Sequence, residues 1–284
     1  MYTLSHLPRF FVLGFLIFFT ALPSQAQKYD FAYQTFRGTR IVNGHSVEVN
    51  DKGSLTFWIS HRFGPLSQGV DGLWGLDQAT IRLGLDYGIT DRLLVGVGRS
   101  GLQRTYDGFA KYALIRQAKT EGWPISATWL STAAVSTLNA EGVPFSDRVT
   151  YTHQLLIARK FGDAFSLQVM PTLLHRNIVG AEDKNDVYAL GIAPRIQLSK
   201  MLAVTAEYYL HLNDALASDP ADGFSLAVEI DTRGHVFQFS LSNARGMIER
   251  FFITETSGSW NMTDNIHFGF NITRDFRIGK KKRY

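Results

Sequence analysis

The sequence predicts a closed antiparallel transmembrane β-barrel of about twelve strands, and three observations support this fold class. Successive runs alternate apolar and polar side chains with a period of two, which is the signature of β-strands. Most runs reach the roughly 9–11 residues that a tilted strand needs to cross a bilayer. The connections alternate between short and long, as the periplasmic turns and external loops of bacterial outer-membrane barrels do.

The first element, residues 1–26, has the organisation of a signal peptide. A short polar region with Arg9 precedes an apolar stretch at residues 10–22, and Ser24-Gln25-Ala26 places small residues before an expected cleavage at Gln27. The apolar stretch is shorter than the roughly 20 residues of a membrane-spanning helix. We therefore expect export through a cleaved leader.

The second element, residues 27–53, precedes the first strand. Asn43-Gly44 is predicted to turn a small hairpin between residues 40–42 and 45–49. Such a hairpin would plug the lumen or cap its periplasmic mouth, whereas a periplasmic arm without contact to the lumen is the alternative. The sequence leaves both open.

The barrel itself is predicted over residues 54–278. Its twelve predicted strands are 54–64, 77–88, 92–101, 106–117, 124–137, 149–161, 165–175, 187–198, 201–213, 223–232, 235–243 and 266–277. Pro171 and Pro194 fall inside two of them. Proline cannot donate to a strand ladder, so a bulge or a local strand slip is expected at each.

Charged residues recur on one face of these strands and predict a polar lumen. Lys111 and Arg195 belong to this face, and six further residues on it are candidates for lining the lumen, for binding a solute or for selecting it. These six are Arg62, Arg82, Asp86, Arg99, Glu207 and Glu229. A charge on the lipid face would cost about 2–4 kcal/mol at the bilayer midplane. The candidates either form a salt-bridged network that fills the barrel or select a solute.

A soluble β-sandwich or a lipocalin-like barrel also alternates apolar and polar residues. The length of the strands, their charged second face and the aromatic residues near their ends favour the membrane barrel.

Two segments near the end of the chain complete the prediction. Residues 246–253 (GMIERFFI), in the connection 244–265, are too apolar for a free loop. They are expected to pack on the barrel rim or fold into its mouth; the alternatives are that they extend the hairpin or contact a partner. Residues 279–284 form a basic tail.

Composition limits the partners. The chain has 284 residues, no cysteine and a formal charge of +4. Removing the five positive charges of Arg9 and residues 280–283 leaves −1, so no nucleic-acid partner is expected. Without cysteine there are no disulfides or thiolate metal sites, and the eight histidines follow no metal-binding spacing. No metal or cofactor is predicted.

Several stretches of the mature chain resemble one family. They are TRIVNGHSVEV at 39–49, LTFWISHRFG at 55–64, GLDQATIRLGLDYGITDR at 75–92, LVGVGRS at 94–100, SNARGMIERFF at 242–252 and FGFNITR at 268–274. On these segments the chain resembles an uncharacterised family of exported outer-membrane β-barrels of Gram-negative bacteria, a domain of unknown function. The resemblance implies an outer-membrane barrel and no particular substrate.

Three functions follow from these expectations. The first is a passive channel or binding barrel for an unidentified small solute. The second is a closed structural barrel that binds another envelope protein. The third is a barrel lipid hydrolase, although no spacing of serine, histidine and acid selects a triad. The chain is predicted not to be an enzyme, with outer-membrane lipid as its surroundings. The sequence predicts no oligomeric state.

Overall fold

The computed structural model describes residues 30–32, 34–138, 141–218, 220–232, 234–256 and 265–278. The predicted signal peptide and the basic tail at 279–284 lie outside the described residues. In the part of the chain that is described, no helix is long and apolar enough to span a bilayer.

Twelve antiparallel strands form one closed barrel, which confirms the predicted fold class. Each strand pairs with its neighbours in sequence, and β1 pairs with β12 to close the sheet. The strands are β1 (Ser54–Pro65), β2 (Ala79–Gly88), β3 (Leu93–Ser100), β4 (Thr105–Ile115), β5 (Ser126–Ser136), β6 (Val149–Lys160), β7 (Phe165–Arg176), β8 (Asp186–Gln197), β9 (Leu202–His211), β10 (Gly223–Asp231), β11 (Val236–Ser242) and β12 (His267–Arg277). One short helix, α1 (Glu249–Thr254), lies between β11 and β12.

The connections divide the barrel into two ends. The described residues of 89–92, 116–125, 161–164, 198–201 and 232–235 form one end, here called the short-turn mouth. The described residues of 66–78, 101–104, 137–148, 177–185, 212–222 and 243–266 form the other, the long-loop mouth. The short connection after β3 is the exception at the long-loop mouth.

Strand β2 illustrates why the wall has two faces. Thr80, Arg82 and Asp86 point into the barrel and are buried, whereas Ile81 and Leu83 point outward and are 44% and 48% exposed. This alternation follows from the pleat, which sends successive side chains to opposite sides of a sheet. Large apolar side chains on the outer surface are stable when lipid surrounds them.

The two prolines are accommodated without a change of register, so the expected bulge or strand slip is wrong. Pro171 on β7 keeps the same register against β8 as its neighbours do. On the β6 side, Gln154 pairs with Thr172 and Ile157 with Val169, which is one register with two pairs left out. The ladder therefore opens locally where proline has no N–H to donate. Pro194 interrupts the pairing of β8 with β9 in the same way.

The hydrophobic core lies inside the barrel. It joins Leu130, Leu156 and Met170 from the inner wall to Ile41 and Val42 from the segment that precedes β1, and all five are at most 2% exposed. The barrel interior is therefore a packed core, and residues before β1 supply part of it.

Candidate functional site, a filled lumen

Residues 35–49 form a hairpin inside the lumen, here called the plug hairpin. Its first strand pairs with its second through hydrogen bonds from Ile41 N to Gly44 O (2.8 Å) and from Ser46 N to Thr39 O (3.0 Å). The turn is therefore centred on Val42 and Asn43, one residue earlier than the Asn43-Gly44 turn expected from the sequence.

The plug hairpin enters through the short-turn mouth. Just before it, Ala32 N donates to Gln117 O (2.8 Å) and Lys119 N donates to Asp30 O (2.9 Å), which ties the incoming chain to the β4–β5 connection. After the hairpin, Gly53 N donates to Gly88 O (2.8 Å) at the β2–β3 turn. The hairpin thus rises from this mouth into the barrel and returns to it before β1.

Glu207 on β9 holds the turn of the plug hairpin. Its carboxylate accepts hydrogen bonds from the backbone N–H groups of three successive residues, Val42 (3.3 Å), Asn43 (2.9 Å) and Gly44 (3.0 Å). Successive N–H groups that converge in this way form an anion-binding concavity. This demand for convergent N–H groups accounts for the position of the turn.

Lys111 on β4 holds the two strands of the hairpin together. Its ammonium donates to the carbonyl oxygens of Thr39 (2.9 Å), Ser46 (3.0 Å) and Glu48 (2.7 Å). An ammonium group has three donors, so its hydrogen-bonding capacity is fully used by the plug backbone. Burial without these partners would be costly for the charge.

Two more of the predicted lumen residues contact the plug hairpin. Arg62 Nη2 donates to Asn43 Oδ1 (2.7 Å), and Thr39 Oγ1 donates to Asp86 Oδ2 (2.7 Å). Uncharged wall residues that the sequence did not single out add hydrogen bonds to the hairpin backbone: Thr128, Gln168, Gln238 and Asn271. The signal that could have found them is their position on the inward face.

The remaining inward candidates form ion pairs along the wall. Arg82 pairs with Asp107 (2.5 Å) and Arg195 pairs with Glu229 (2.8 Å). Both pairs are largely buried. Asp107 is a further residue that the sequence reasoning missed.

Arg99 is not a lumen residue, and its prediction as one is wrong. It lies on the outward face of β3 with Val97, and both are exposed. Its guanidinium sits 5.5 Å from the ring centroid of Tyr106 on β4, and the next residue ends the strand. A long cationic side chain at a strand end can reach water from the outer wall, which removes the penalty that the inward prediction assumed.

The long-loop mouth is covered by α1 and the residues around it. Phe251, Phe252 and Ile253 are buried, and Ile253 O is 2.6 Å from His211 Nε2 on β9. The apolar segment thus folds into the mouth, as expected. Nε2 of His45 in the plug hairpin lies 3.7 Å from Oε1 of Glu249 in α1. The plug hairpin and the cover of the long-loop mouth therefore meet inside the barrel.

Burial shifts the pKa values of the ionisable side chains where the plug hairpin meets α1. It lowers the pKa of His45 well below its ordinary value, and the nearby Arg40 adds to this effect. Burial also raises the pKa of Glu249. A cavity of about 10 Å³, the size of one water molecule, adjoins Arg40, His45 and Glu249. The larger cavity, about 160 Å³, lies at the short-turn mouth.

A serine and a histidine form a hydrogen-bonded pair on the outer wall. Ser131 Oγ on β5 is 3.0 Å from His153 Nδ1 on β6, and Trp129 Nε1 donates to the same Oγ (3.0 Å). Leu130 and Thr132 on either side of Ser131 are buried in the lumen, which places Ser131 on the outward face. Among the described residues, no group of three or more metal-binding side chains occurs.

Solved structures similar to this chain are barrels. The NanC porin covers 77% of this chain and 98% of its own, with a TM-score of 0.50 and 8% identity. The KdgM porin covers 78% and 99%, with a TM-score of 0.48 and 10% identity. An outer membrane channel from Pseudomonas putida F1 covers 81% and 97%, with a TM-score of 0.45 and 13% identity. At these identities the likeness concerns the fold.

No curated protein matches this chain by sequence. Residues 36–276 match the family described as "Membrane bound beta barrel domain (DUF5777)". The match begins in the plug hairpin and ends in β12, so it covers the filled barrel as one unit. The chain therefore belongs to this family of membrane-bound β-barrels.

Proposed function

We propose that this protein is an outer-membrane barrel that is closed at rest by its plug hairpin and passes a small solute only when the hairpin moves. The observation that carries the proposal is the use of Lys111 and Glu207. Lys111 donates hydrogen bonds to three backbone carbonyls of the hairpin, and Glu207 accepts hydrogen bonds from three of its backbone N–H groups. In an open diffusion pore these charges would face water and a passing solute.

Polar contacts of this kind suit a plug that can leave its seat. In a wetted lumen, water can replace the hydrogen bonds that Lys111 and Glu207 make, so the net cost of each exchange is modest. The plug hairpin is also continuous with the short-turn mouth through its two ends. Displacement toward that mouth requires no strand of the barrel to separate.

A permanently closed barrel that binds another envelope protein is the second candidate. The apolar contacts of the plug hairpin favour it, because Ile41 and Val42 pack against Leu130, Leu156 and Met170 in the lumen core. A hairpin that moved would expose these side chains to water, at roughly 25 cal/mol per Å² of apolar surface.

Planar-bilayer recordings of the folded full-length protein distinguish the two candidates. Gly44→Ala is expected to unseat the plug hairpin, because a Cβ at this position would overlap the Tyr209 hydroxyl and crowd Glu207. Gly162→Ala is the matched control, since a Cβ there meets nothing within 4 Å. We expect the wild type and the control to stay closed and Gly44→Ala to conduct ions.

Steady conductance by the wild type would contradict closure at rest. A silent Gly44→Ala barrel would favour the permanently closed candidate, provided that the hairpin has moved. The chain has no cysteine, and Ser46 is buried in the seated hairpin, so Ser46→Cys reports movement by its reaction with a maleimide.

We also propose that the chain is not a lipid hydrolase. The Ser131–His153 pair is the observation that a hydrolase would use, because it joins a nucleophile to a base on the lipid-facing wall. In the described part of the chain, however, the hydrogen bond to Ser131 is the one that His153 makes, so no acid orients the base. Fatty-acid release from phospholipid vesicles should be equally absent for the wild type and Ser131→Ala; release that this change abolishes would contradict the proposal.

A further inference from the structure

The short-turn mouth contains a cavity of about 160 Å³ between the plug hairpin and the barrel wall. An engineered protein cavity of roughly this volume accommodates benzene, so the space suits a small organic molecule. Five charged side chains line it: Arg37, Arg195, Lys200, Glu229 and Asp231.

Arg195 supplies the recognition group. Its side chain is buried, with 7% of the residue exposed, and Nε donates to Glu229 Oε2 (2.8 Å). Within the described residues its terminal amino groups, Nη1 and Nη2, have no hydrogen-bond partner. Since Arg195 lines the cavity, these donors are available to a bound molecule. Protein thus satisfies one of the five N–H donors of this guanidinium, and the four on Nη1 and Nη2 are left for water or a ligand.

The balance of charge points to the sign of the ligand. Glu229 accepts from Arg195 and from Gln238, and Asp231 accepts from Arg37 Nε (2.5 Å). Both carboxylates are therefore occupied. Three cations against two carboxylates leave one positive charge on the lining, which a single negative charge would neutralise.

We propose that this cavity binds a small organic monoanion, whose carboxylate is held by the terminal amino groups of Arg195 with Lys200 at the rim. The planar guanidinium presents two parallel N–H groups that match the two oxygens of a carboxylate. Arg37 of the plug hairpin lines the site, so the site exists while the hairpin is seated and requires no movement of it. The inference therefore goes beyond the proposed gating.

Isothermal titration calorimetry on the folded full-length protein in detergent micelles tests the site with benzoate and benzamide. The two probes have nearly the same size and shape and differ in charge. We expect benzoate to bind the wild type at least about tenfold more tightly than benzamide, because only benzoate forms charge-assisted hydrogen bonds with Arg195.

Arg195→Gln combined with Glu229→Gln removes the guanidinium without leaving an unpaired carboxylate, and should weaken benzoate binding at least about tenfold. The matched control is Arg82→Gln with Asp107→Asn, which removes an equally buried ion pair outside the cavity lining and should leave benzoate binding unchanged. Lys200→Gln changes an exposed residue and should weaken binding about threefold.

Equal affinity for benzoate and benzamide, or no benzoate binding by the wild type, would overturn the site. So would wild-type affinity in the Lys200→Gln protein and in a folded Arg195→Gln/Glu229→Gln protein. None of these outcomes bears on whether the plug hairpin gates a current, so the two proposals fail separately.

Discussion

At the scale of single residues, Lys111 is the side chain on which the plug hairpin depends most directly. It lies on the barrel wall, yet all three of its hydrogen bonds go to backbone carbonyls of a segment more than sixty positions earlier in the chain. It therefore stabilises the filled lumen without itself being part of the plug.

Lys111→Met is expected to lower the free energy of unfolding by about 1–3 kcal/mol, because three buried carbonyls lose their donor. Urea unfolding in detergent micelles measures the change. The control is Lys119→Met, since Lys119 is half-exposed and pairs with the exposed Asp30, a contact expected to contribute at most about 1 kcal/mol. Equal losses in the two variants would contradict the role of Lys111.

The inward charges could be predicted wherever the opposite face of the strand was clearly apolar. Arg62, Arg82, Asp86, Glu207 and Glu229 all lie inside, as the alternation predicted. Whether they bind a solute stays a prediction, because Arg62, Asp86 and Glu207 hydrogen-bond to the plug hairpin and the other two form ion pairs along the wall.

The prediction of Arg99 as a lumen residue was wrong for a reason visible in β3. The inward positions before it are Gly96 and Gly98, which carry no polarity that could fix the phase of the strand. Their smallness has its own cause, since a Cβ would overlap Phe109 at Gly96 and the Arg82 guanidinium at Gly98. Large side chains inside the barrel thus leave room only for glycine at these positions of β3. The strand therefore lacks the alternation of apolar and polar residues from which its inward face could be predicted.

At the scale of elements, the strands were predictable and the seat of the plug hairpin was not. Strand positions follow from a local period of two, which any single run displays. The location of residues 35–49 depends on contacts such as Asn43 with Ser225 and Glu207, which join parts of the chain far apart in sequence. Nothing in the local pattern distinguishes a hairpin inside a barrel from one beside it.

Helix α1 closes the long-loop mouth through Phe251. This side chain is completely buried and packs with Ala134 and Ile248, and Leu102 lies against the same cluster. Phe251 thus anchors α1 in a small cluster, whereas Phe252 and Ile253 of the same helix pack in the main lumen core.

Phe251→Ala is expected to release this cover, because loss of a buried phenylalanine costs about 3–5 kcal/mol of stability. A helix of six residues is not stable without such packing. Trypsin should then cleave at Arg250 faster than in the wild type, as measured by mass spectrometry of timed digests. Phe145→Ala removes a phenylalanine that is 65% exposed and should not change the cleavage rate. Resistance of the Phe251→Ala protein at Arg250 would contradict the seating of α1.

At the scale of the whole molecule, the two mouths should face different compartments. In an outer-membrane barrel the long loops face the exterior and the short turns the periplasm. Val70 lies in the connection between β1 and β2 at the long-loop mouth and is 69% exposed, whereas Lys200 is exposed at the short-turn mouth.

Because the chain has no cysteine, single substitutions report this sidedness cleanly. A membrane-impermeant maleimide should label Val70→Cys on intact cells. The same reagent should label Lys200→Cys only after the outer membrane is permeabilised. Labelling in the reverse pattern would contradict the proposed orientation, and labelling of neither position after permeabilisation would contradict the location in the outer membrane.

The seam between β1 and β12 has a consequence for biogenesis. Ser54 pairs with Arg277, so β1 and β12 join the two ends of the sheet. The hairpin that occupies the lumen is tethered directly to β1 through four residues, 50–53. The plug hairpin therefore stays close to the edge of β1 that pairs with β12, so the chain itself couples closure of the barrel to filling of its lumen.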